Sequence, residues 1–281
     1  MRLFFIQWGA ELRKMLARKR TYLGFGAFLV LELVIFWVLQ RDGPTRGIRR
    51  MIQAQGESFE TYFSALTLGF LVLVLSLLLA SVFIALVSGD VIAKESEDGN
   101  LRLALARPIS RLRLLTLKYL SCIIFCFVLI QFIVWTVLLM GIAVRGWGGG
   151  MFVFSPEDGM FVLYDAAKGL ERYALSSVFL SMSMMGVGSA AFFLSCFRIK
   201  PVTATIAAVA YLLVDTILHE SRLMESYNHL LLTHYMSTWR MVLMESIPWV
   251  TILRNYSILV GASLTLFVLG TAVFESRDLK S

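Results

Sequence analysis

Six apolar segments, each long enough to cross a lipid bilayer, constrain this chain more than any other feature of its sequence. About 20 apolar residues in an α-helix cross a hydrocarbon core of roughly 30 Å. Backbone polar groups inside a bilayer must be hydrogen-bonded within the protein, so such segments predict helices. We therefore expect an all-α integral membrane protein with six transmembrane helices, at residues 22–40, 64–88, 118–144, 173–197, 202–218 and 256–274.

The composition agrees with this fold class and leaves no room for a separate soluble domain. Hydrophobic residues make up 58% of the 281 residues and charged residues only 16%, whereas soluble proteins carry about 25% charged residues. The net charge of +7 does not indicate nucleic-acid binding, because the cations flank apolar spans, where they fix membrane topology. We expect one membrane domain over residues 1–281, in contact with lipid and not with nucleic acid.

The distribution of cations predicts which side of the membrane each connecting segment faces. Four segments, residues 1–21, 89–118, 198–201 and 275–281, hold 16 of the 26 lysines and arginines. Cytoplasmic loops are the ones enriched in these residues, and an even number of spans places both termini on one side. Both termini are therefore predicted to be cytoplasmic. The longer segments 145–172 and 219–255 are predicted to be extracytoplasmic.

Three connecting regions show patterns of their own. Apolar and basic residues alternate at helical spacing in residues 1–21, which favours an amphipathic helix on the membrane surface over a simple basic tail. Two short apolar runs surround a Pro/Asp/Gly cluster in residues 145–172, which indicates a hairpin or two interfacial segments. Residues 230–250, within the segment 219–255, are too apolar for a solvated loop and too interrupted for a span, which predicts one or two re-entrant or interfacial helices.

A charged island, Gly89–Lys118, separates the second and third spans. Four carboxylates come first and five cations follow, with leucines and isoleucines threaded through the basic half. A bilayer core does not accommodate this density of charge, so the island is expected in the cytoplasm. A short amphipathic helix, bent or broken near Gly99, should end before Pro108. A second helix should then begin after Ser110 as its N-cap and run to Val144.

The chain contains none of the short motifs that carry common enzyme chemistry. It has no G-x-x-x-x-G-K-[ST] phosphate loop, no G-x-S-x-G elbow, no C-x-x-C pair and no H-E-x-x-H. We therefore expect a protein that is not itself an enzyme and holds no cofactor or metal. His219, His229 and His234 share one outer segment and are the only metal candidates, with interfacial polar side chains as the simpler interpretation. The cysteines all lie in apolar runs and are interpreted as packing residues.

Two carboxylates fall within the apolar spans and are candidates for a translocation path. Glu32 lies about 16 Å into the first span, near the membrane midplane. Intramembrane carboxylates are costly and therefore point first to a function. The alternative for Glu32 is a protonated or hydrogen-bonded side chain that faces another helix. Asp215 lies near the outer end of the fifth span, where a side chain that reaches the membrane surface is the alternative.

The island resembles the cytoplasmic signature of the ABC-2-type exporter permeases, which have six spans per subunit. In that family the segment reads as an acidic residue, a Glu, Gly-Thr-Leu, a Leu-Leu pair, a Pro-x-Ser-Arg turn and a Lys. Asn100 replaces the usual Thr here, and Ala104 replaces one leucine. The C-terminal Phe274-Glu-Ser-Arg-Asp-Leu279 is also similar to the usual ending of the family. The island residues that carry the resemblance are Asp90, Glu95, Gly99, Leu101, Leu105, Arg107, Pro108, Ser110, Arg111 and Lys118.

The resemblance implies a function and a set of partners. The chain would be the transmembrane subunit of an ATP-driven exporter in a bacterial cytoplasmic membrane, working as a homodimer. A separately encoded ATPase would bind the ATP and Mg. The coupling loop would comprise residues 89–117, with a coupling helix inside Val91–Ala106 and the signature residues from Asp90 to Arg111 at the contact. An amphipathic helix that docks in a groove of a partner fits this role. A solvated loop that only fixes topology is the alternative.

Two functions from other classes fit parts of the sequence. An ion-coupled secondary transporter centred on Glu32 needs no ATPase, but it gives no reason for the charged island. An integral membrane hydrolase or lipid-modifying enzyme would use the three histidines of the outer segment together with Glu220 or Glu245.

Overall fold

The computed structural model describes residues 2–101, 109–155 and 160–276, and most of them are helical. Two 3-10 helices, Arg222–Leu230 and Ser237–Leu243, lie before and after the short helix Leu232–Met236. The other elements follow in chain order: α1 (Arg2–Leu16), α2 (Lys19–Leu39), α3 (Asp42–Ala54), α4 (Phe59–Tyr62), α5 (Ala65–Glu97), α6 (Arg111–Arg145), β1 (Met151–Ser155), β2 (Met160–Tyr164), α7 (Ala166–Ser195), α8 (Pro201–Glu220), α9 (Leu232–Met236) and α10 (Trp249–Glu275).

Six of these helices, α2, α5, α6, α7, α8 and α10, are long and apolar enough to cross a membrane. They correspond in order to the six predicted spans, which confirms the all-α membrane fold. α5, α6 and α7 contain 33, 35 and 30 residues, so each is roughly 45 to 50 Å long at 1.5 Å per residue. Because the hydrocarbon core is only roughly 30 Å thick, these three helices extend beyond it.

α6 begins where the sequence predicts. Its first residue is Arg111, and the side chain of Ser110 accepts a hydrogen bond from the backbone N–H of Arg113. This contact satisfies one of the N–H groups that the first turn of a helix leaves without a partner. The helix then continues without a break to Arg145, so the basic turns after Ser110 belong to the same helix as the third span.

α7 is the central helix of the bundle and packs against α5, α6, α8 and α10. Most of its apolar part is buried, whereas α2, α8 and α10 leave most of theirs exposed and available to lipid. Small residues on α7 allow this close packing. Gly188 faces Cys126 of α6, and Gly186 faces Leu259 of α10. Cys122, Cys126 and Cys196 are all buried thiols, as expected for packing residues.

At the end of the bundle opposite the N-terminus, the connecting segments fold back onto the helices. β1 and β2 form an antiparallel hairpin with Met151 opposite Tyr164, which decides between the two predicted arrangements. The backbone N–H of Phe152 donates to the hydroxyl of Thr67 in α5 at 2.8 Å. The hydroxyl of Tyr164 donates to the carbonyl of Leu243 at 2.9 Å. The hairpin therefore connects α5 to the second 3-10 helix.

Residues 230–250 contain two short helices, α9 and the second 3-10 helix, in agreement with the one or two predicted there, and the first 3-10 helix precedes them. Their re-entrant or interfacial placement stays a prediction. They pack against the spans, with the ring centroid of Trp239 lying 6.4 Å from that of Phe70 in α5. Arg172 of α7 holds the end of this segment in place, because its buried guanidinium donates to the carbonyl oxygens of Val242 and Glu245 at 3.3 and 3.1 Å. Backbone carbonyls that a solvated loop would leave to water are thus satisfied inside the protein.

α3 was not predicted, because Gly43, Pro44 and Gly47 make its sequence resemble a loop. Proline is tolerated in the first turn of a helix, where its missing N–H removes no internal hydrogen bond. The helix is strongly amphipathic. Ile52 is completely buried, and Arg50 is exposed on the other side.

α1 forms the N-terminal helix that the alternating pattern predicts, and it packs along α6. Met15 near its end is buried, whereas Leu3, Phe5 and Ile6 near its start are exposed. An exposed apolar start suits a helix that lies in the membrane surface. Its interfacial placement stays a prediction.

The first testable prediction concerns Gly141, where α6 approaches α5. A Cβ atom at this position would lie 2.8 Å from the backbone oxygen of Ala65 and 3.2 Å from its Cα. A helix backbone does not move aside as a side chain does, so Gly141→Ala should force the helices apart at a cost of about 1–3 kcal/mol. We expect a lower midpoint of thermal unfolding in detergent. Gly261→Ala in α10 is the matched control, because nothing lies within 4 Å of its Cβ. Equal midpoints for both variants would contradict the close approach.

Candidate functional site

The acidic half of the charged island is the end of α5, not a loop. α5 continues through Gly89, where the predicted second span had already ended, and stops at Glu97. The chain then turns at Gly99, whose φ of 72° lies in the left-handed region that favours glycine. Asn100 and Leu101 are again helical. Among the predicted coupling residues, Leu105, Arg107 and Pro108 lie outside the described residues.

Glu95 and Lys118 form the centre of a buried ion cluster. The Nζ atom of Lys118 in α6 lies 2.6 Å from Oε2 of Glu95 in α5 and 2.9 Å from Oε2 of Glu11 in α1. From the other side, the Nζ atom of Lys14 in α1 lies 2.5 Å from Oε1 of Glu95, and Arg18 lies 3.8 Å from the same oxygen. These five residues, called the ion cluster below, join three helices.

Burial makes the ion cluster energetically important. Lys118 is 1% exposed and Glu95 is 3% exposed. A buried ion costs several kcal/mol of desolvation, and only close opposite charges offset this cost. The ion cluster meets this condition, because both oxygens of Glu95 contact cations and Lys118 contacts two carboxylates. Removing any central member would leave an uncompensated charge inside the protein.

A second ion pair extends this arrangement to α2. The carboxylate of Asp90, one and a half turns before Glu95 in α5, contacts the guanidinium of Arg20 at the start of α2. Asp90 is also buried. The ends of α1, α2, α5 and α6 are therefore held together by ionic contacts at one end of the bundle.

The structure changes the interpretation of the signature residues. Asp90 and Glu95, which the resemblance places at a contact with an ATPase, are buried and bound to cations of their own chain. Leu101 is buried as well. The side chains of Glu97, Asp98, Asn100, Ser110 and Leu112 are exposed around them. The described part of the island thus has a buried ionic layer and an exposed rim.

Arg111, at the start of α6, extends the contacts of this end to the last span. Its guanidinium donates to the backbone carbonyl oxygen of Glu275, the last residue of α10, at 3.1 Å. Cations are favourable near the C-terminal end of a helix, where carbonyl groups lack partners within the helix. Arg111 therefore connects the basic half of the island to α10.

Sequence reasoning missed the partners of Glu95 and Asp90. The alternating pattern of residues 1–21 predicts only a surface helix with charged flanks. It does not indicate that these charges, Glu11, Lys14, Arg18 and Arg20, are bound to buried residues of the island. One sequence signal was present, because Lys118 is flanked by Leu117 and Tyr119 in an apolar run. A cation there needs a buried acidic partner, but the sequence does not say which acid supplies it.

Glu32 is fully buried between α2 and α6. The hydroxyl of Thr136 donates to its Oε1 at 3.0 Å, and its Oε2 has no hydrogen-bond partner among the residues that the structure describes. The alternative stated above, a hydrogen-bonded Glu that faces another helix, matches this position. A translocation path through Glu32 stays a prediction.

Asp215 is buried inside the protein rather than exposed at the end of its span, and a translocation path through Asp215 stays a prediction. Its side chain is buried and accepts hydrogen bonds from the backbone N–H groups of Leu232 and Thr233 at 3.3 and 2.6 Å. The hydroxyl of Thr233 also donates to it at 2.6 Å. The N–H groups at the start of a helix need an acceptor and favour a negative charge. Asp215 therefore fastens α9 to α8.

Two of the three histidines lie close together. The ring centroids of His219 and His234 lie 5.9 Å apart. Within the described ranges, no group of three His, Cys, Asp or Glu side chains is arranged to hold a metal ion. Burial lowers the pKa of His234, and the neighbouring His219, His229 and Arg254 lower it further.

Comparison with known proteins identifies one family. The sequence model of the family described as "ABC-2 family transporter protein" matches residues 11–279. The match includes all six spans and every member of the ion cluster. No curated protein matches the sequence.

The second prediction concerns Lys118. Replacing it with methionine leaves Glu95 and Glu11 without their shared cation, so Lys118→Met should destabilise the protein by about 3–5 kcal/mol. We expect α1 to detach, which increases the rate of trypsin cleavage after Arg13 and Lys14 in detergent.

The matched control for Lys118 is Lys168→Met. The Nζ of Lys168 lies 3.9 Å from Glu171 in an exposed pair, and such pairs contribute about 0–1 kcal/mol. Similar cleavage rates for the two variants would show that the ion cluster does not hold α1 in place.

The third prediction concerns pH. A histidine whose pKa is lowered in the folded state binds fewer protons there than in the unfolded state. Its contribution to stability is therefore complete above about pH 6.5, the ordinary histidine pKa, and is lost as the pH falls toward the lowered value. We expect His234→Gln to lose less thermal stability than the parent between about pH 7.5 and about pH 5. An equal loss in both proteins would contradict the role of His234.

Proposed function

We propose, because the chain belongs to the ABC-2 transporter family, that it is the membrane-spanning subunit of an ATP-driven exporter. The chain forms the translocation path, and a separately encoded ABC ATPase binds ATP and Mg and supplies the work. Two copies of the chain pair with two copies of the ATPase. The complex lies in the cytoplasmic membrane of a bacterium, with both termini of this chain in the cytoplasm.

The sequence supports a division of labour between two proteins. The chain has no phosphate loop, so it lacks the main element that holds nucleotide phosphates in P-loop ATPases. Energy must then arrive through mechanical contact with another protein. Such a contact needs a part of the membrane subunit that projects toward the partner and moves as a rigid unit with the spans.

The ion cluster is the observation that carries the proposal. It ties the end of α5 to the start of α6 on either side of residues 98–110, which connect the two helices. A push on this connecting segment acts on both helices at once, because Glu95 and Lys118 hold their ends together. α1 joins the same unit through Glu11 and Lys14. The signature acids thus stiffen the coupling element from inside.

The exposed rim supplies the docking face. Glu97 and Asp98 present negative charge at the end of α5, and Leu112 presents an apolar side chain at the start of α6 that is 50% exposed. Charged groups at the edge of an interface orient the partner, and apolar groups contribute contact area. When ATP binding brings the ATPase pair together, the two coupling segments move and the membrane dimer switches between inward and outward access.

The fourth prediction tests docking with the ATPase encoded next to this chain. Glu97→Lys with Asp98→Lys reverses two exposed charges of the rim without touching the ion cluster. We expect the affinity for the ATPase, measured by co-purification and by titration in detergent, to fall at least about tenfold, since a wrong charge at an interface costs several kcal/mol. Membrane insertion should be unchanged, and thermal stability should fall only slightly, because the exposed Asp98 attracts the nearby Arg20.

A matched control carries the same charge change at the other end of the bundle. Glu57→Lys with Glu171→Lys also reverses two exposed carboxylates, and it should bind the ATPase like the parent. An ATPase that never binds would refute the proposed function. An ATPase that binds the rim variant as tightly as the parent would refute only the docking face.

A further inference from the structure

The two faces of α3 differ in chemistry. Ile52 is completely buried and Met51 packs against the same apolar core. Three arginines occupy the opposite face, and their side chains are exposed: Arg46, Arg49 and Arg50. Helix residues three and four positions apart lie on one face. The three guanidinium groups therefore form one stripe along α3, called the arginine stripe below.

The start of α3 is expected at the level of the lipid headgroups. α2 ends at Leu39 and α3 begins at Asp42, so the basic helix follows a membrane helix almost directly. Trp37, in the last turn of α2, is 60% exposed, and tryptophan is enriched at membrane–water interfaces. The guanidinium carbon of Arg41 lies 4.0 Å from the centroid of the Trp37 ring. This cation–π contact holds a further positive charge at the interface.

The far end of α3 is also held close to the membrane. The guanidinium carbon of Arg49 lies 4.6 Å from the ring centroid of Phe59 in α4. Phe59 stacks on Phe63, and the next membrane helix, α5, begins at Ala65. Both ends of α3 are thus tethered to membrane helices, so the arginine stripe stays within reach of the bilayer surface.

Membrane topology gives no reason for these arginines. In the proposed orientation this end is extracytoplasmic, and short extracytoplasmic loops are usually poor in lysine and arginine. Guanidinium groups match phosphate groups in charge and in hydrogen-bonding geometry. We infer that the arginine stripe binds the headgroups of anionic phospholipids in the leaflet at this end of the bundle. This inference goes beyond the proposed function and does not depend on the ATPase.

The fifth prediction tests the arginine stripe with a fluorophore on α3. The native cysteines are buried, so Gln53→Cys, at an exposed position of the same helix, provides a selective labelling site. The full-length chain is placed in phosphatidylcholine nanodiscs that contain spin-labelled phosphatidylglycerol or spin-labelled phosphatidylcholine at equal density. We expect about fivefold stronger quenching by phosphatidylglycerol, the factor that corresponds to the typical attraction of one cation near an anionic membrane surface.

Matched variants separate charge from fold. Arg46→Gln, Arg49→Gln and Arg50→Gln together should abolish the preference for phosphatidylglycerol. The same three positions changed to lysine should keep it, because the charge remains. Since these side chains are exposed, both triple variants should unfold at the same temperature as the parent.

Three outcomes would overturn the inference. The first is equal quenching by the two lipids when the native arginines are present. The second is the same preference at a fluorophore on Glu171→Cys, an exposed position of α7 at the same end, because this would show general enrichment around the protein. The third is loss of the preference when inorganic phosphate is added at unchanged ionic strength, because this would show a site for soluble anions.

Discussion

The buried contact between Lys118 and Glu95 determines how the N-terminal end of the bundle is built. α5 and α6 both extend beyond the hydrocarbon core, and their ends would have no apolar environment to hold them. Instead, the attraction between a buried lysine and a buried glutamate holds the two helix ends together. Lys14 and Glu11 complete the charge balance from α1. The positions of α1 and of the end of α5 against α6 therefore depend on this ionic contact and its neighbours.

The sequence was sufficient for the spans and for the start of α6, and it failed at the ion cluster. The six apolar segments are long enough to cross a bilayer, and their backbone groups must be hydrogen-bonded internally. Together these two facts predict transmembrane helices. Ser110 acts on residues next to it, so its capping role is visible in a short stretch. Glu11, Glu95 and Lys118 come from three separate segments. Charge density predicts that their surroundings lie outside the lipid, but only tertiary structure shows that they are buried.

Asp215 and Glu32 show why depth in a span does not define a role. Both are buried carboxylates in helices that are otherwise apolar. Asp215 lies beside two backbone N–H groups at the start of α9, so its negative charge is satisfied and it fastens α9 to α8. Glu32 has one hydroxyl donor, Thr136. The number and type of donors, which one sequence does not contain, separate an anchoring carboxylate from a candidate for transport.

The two ends of the bundle use charge in different ways. In the ion cluster, opposite charges are buried and matched, so dissolved salt screens them little and the helices they join move together. In α3, like charges lie exposed on one face. Salt screens them there, and bound lipids can exchange with the bilayer. A rigid ionic contact is suited to transmitting force from an ATPase, whereas an exposed basic stripe is suited to reversible binding of lipids. The proposed coupling and the proposed lipid binding thus fall at opposite ends of the bundle, because one requires buried, matched charges and the other requires exposed ones.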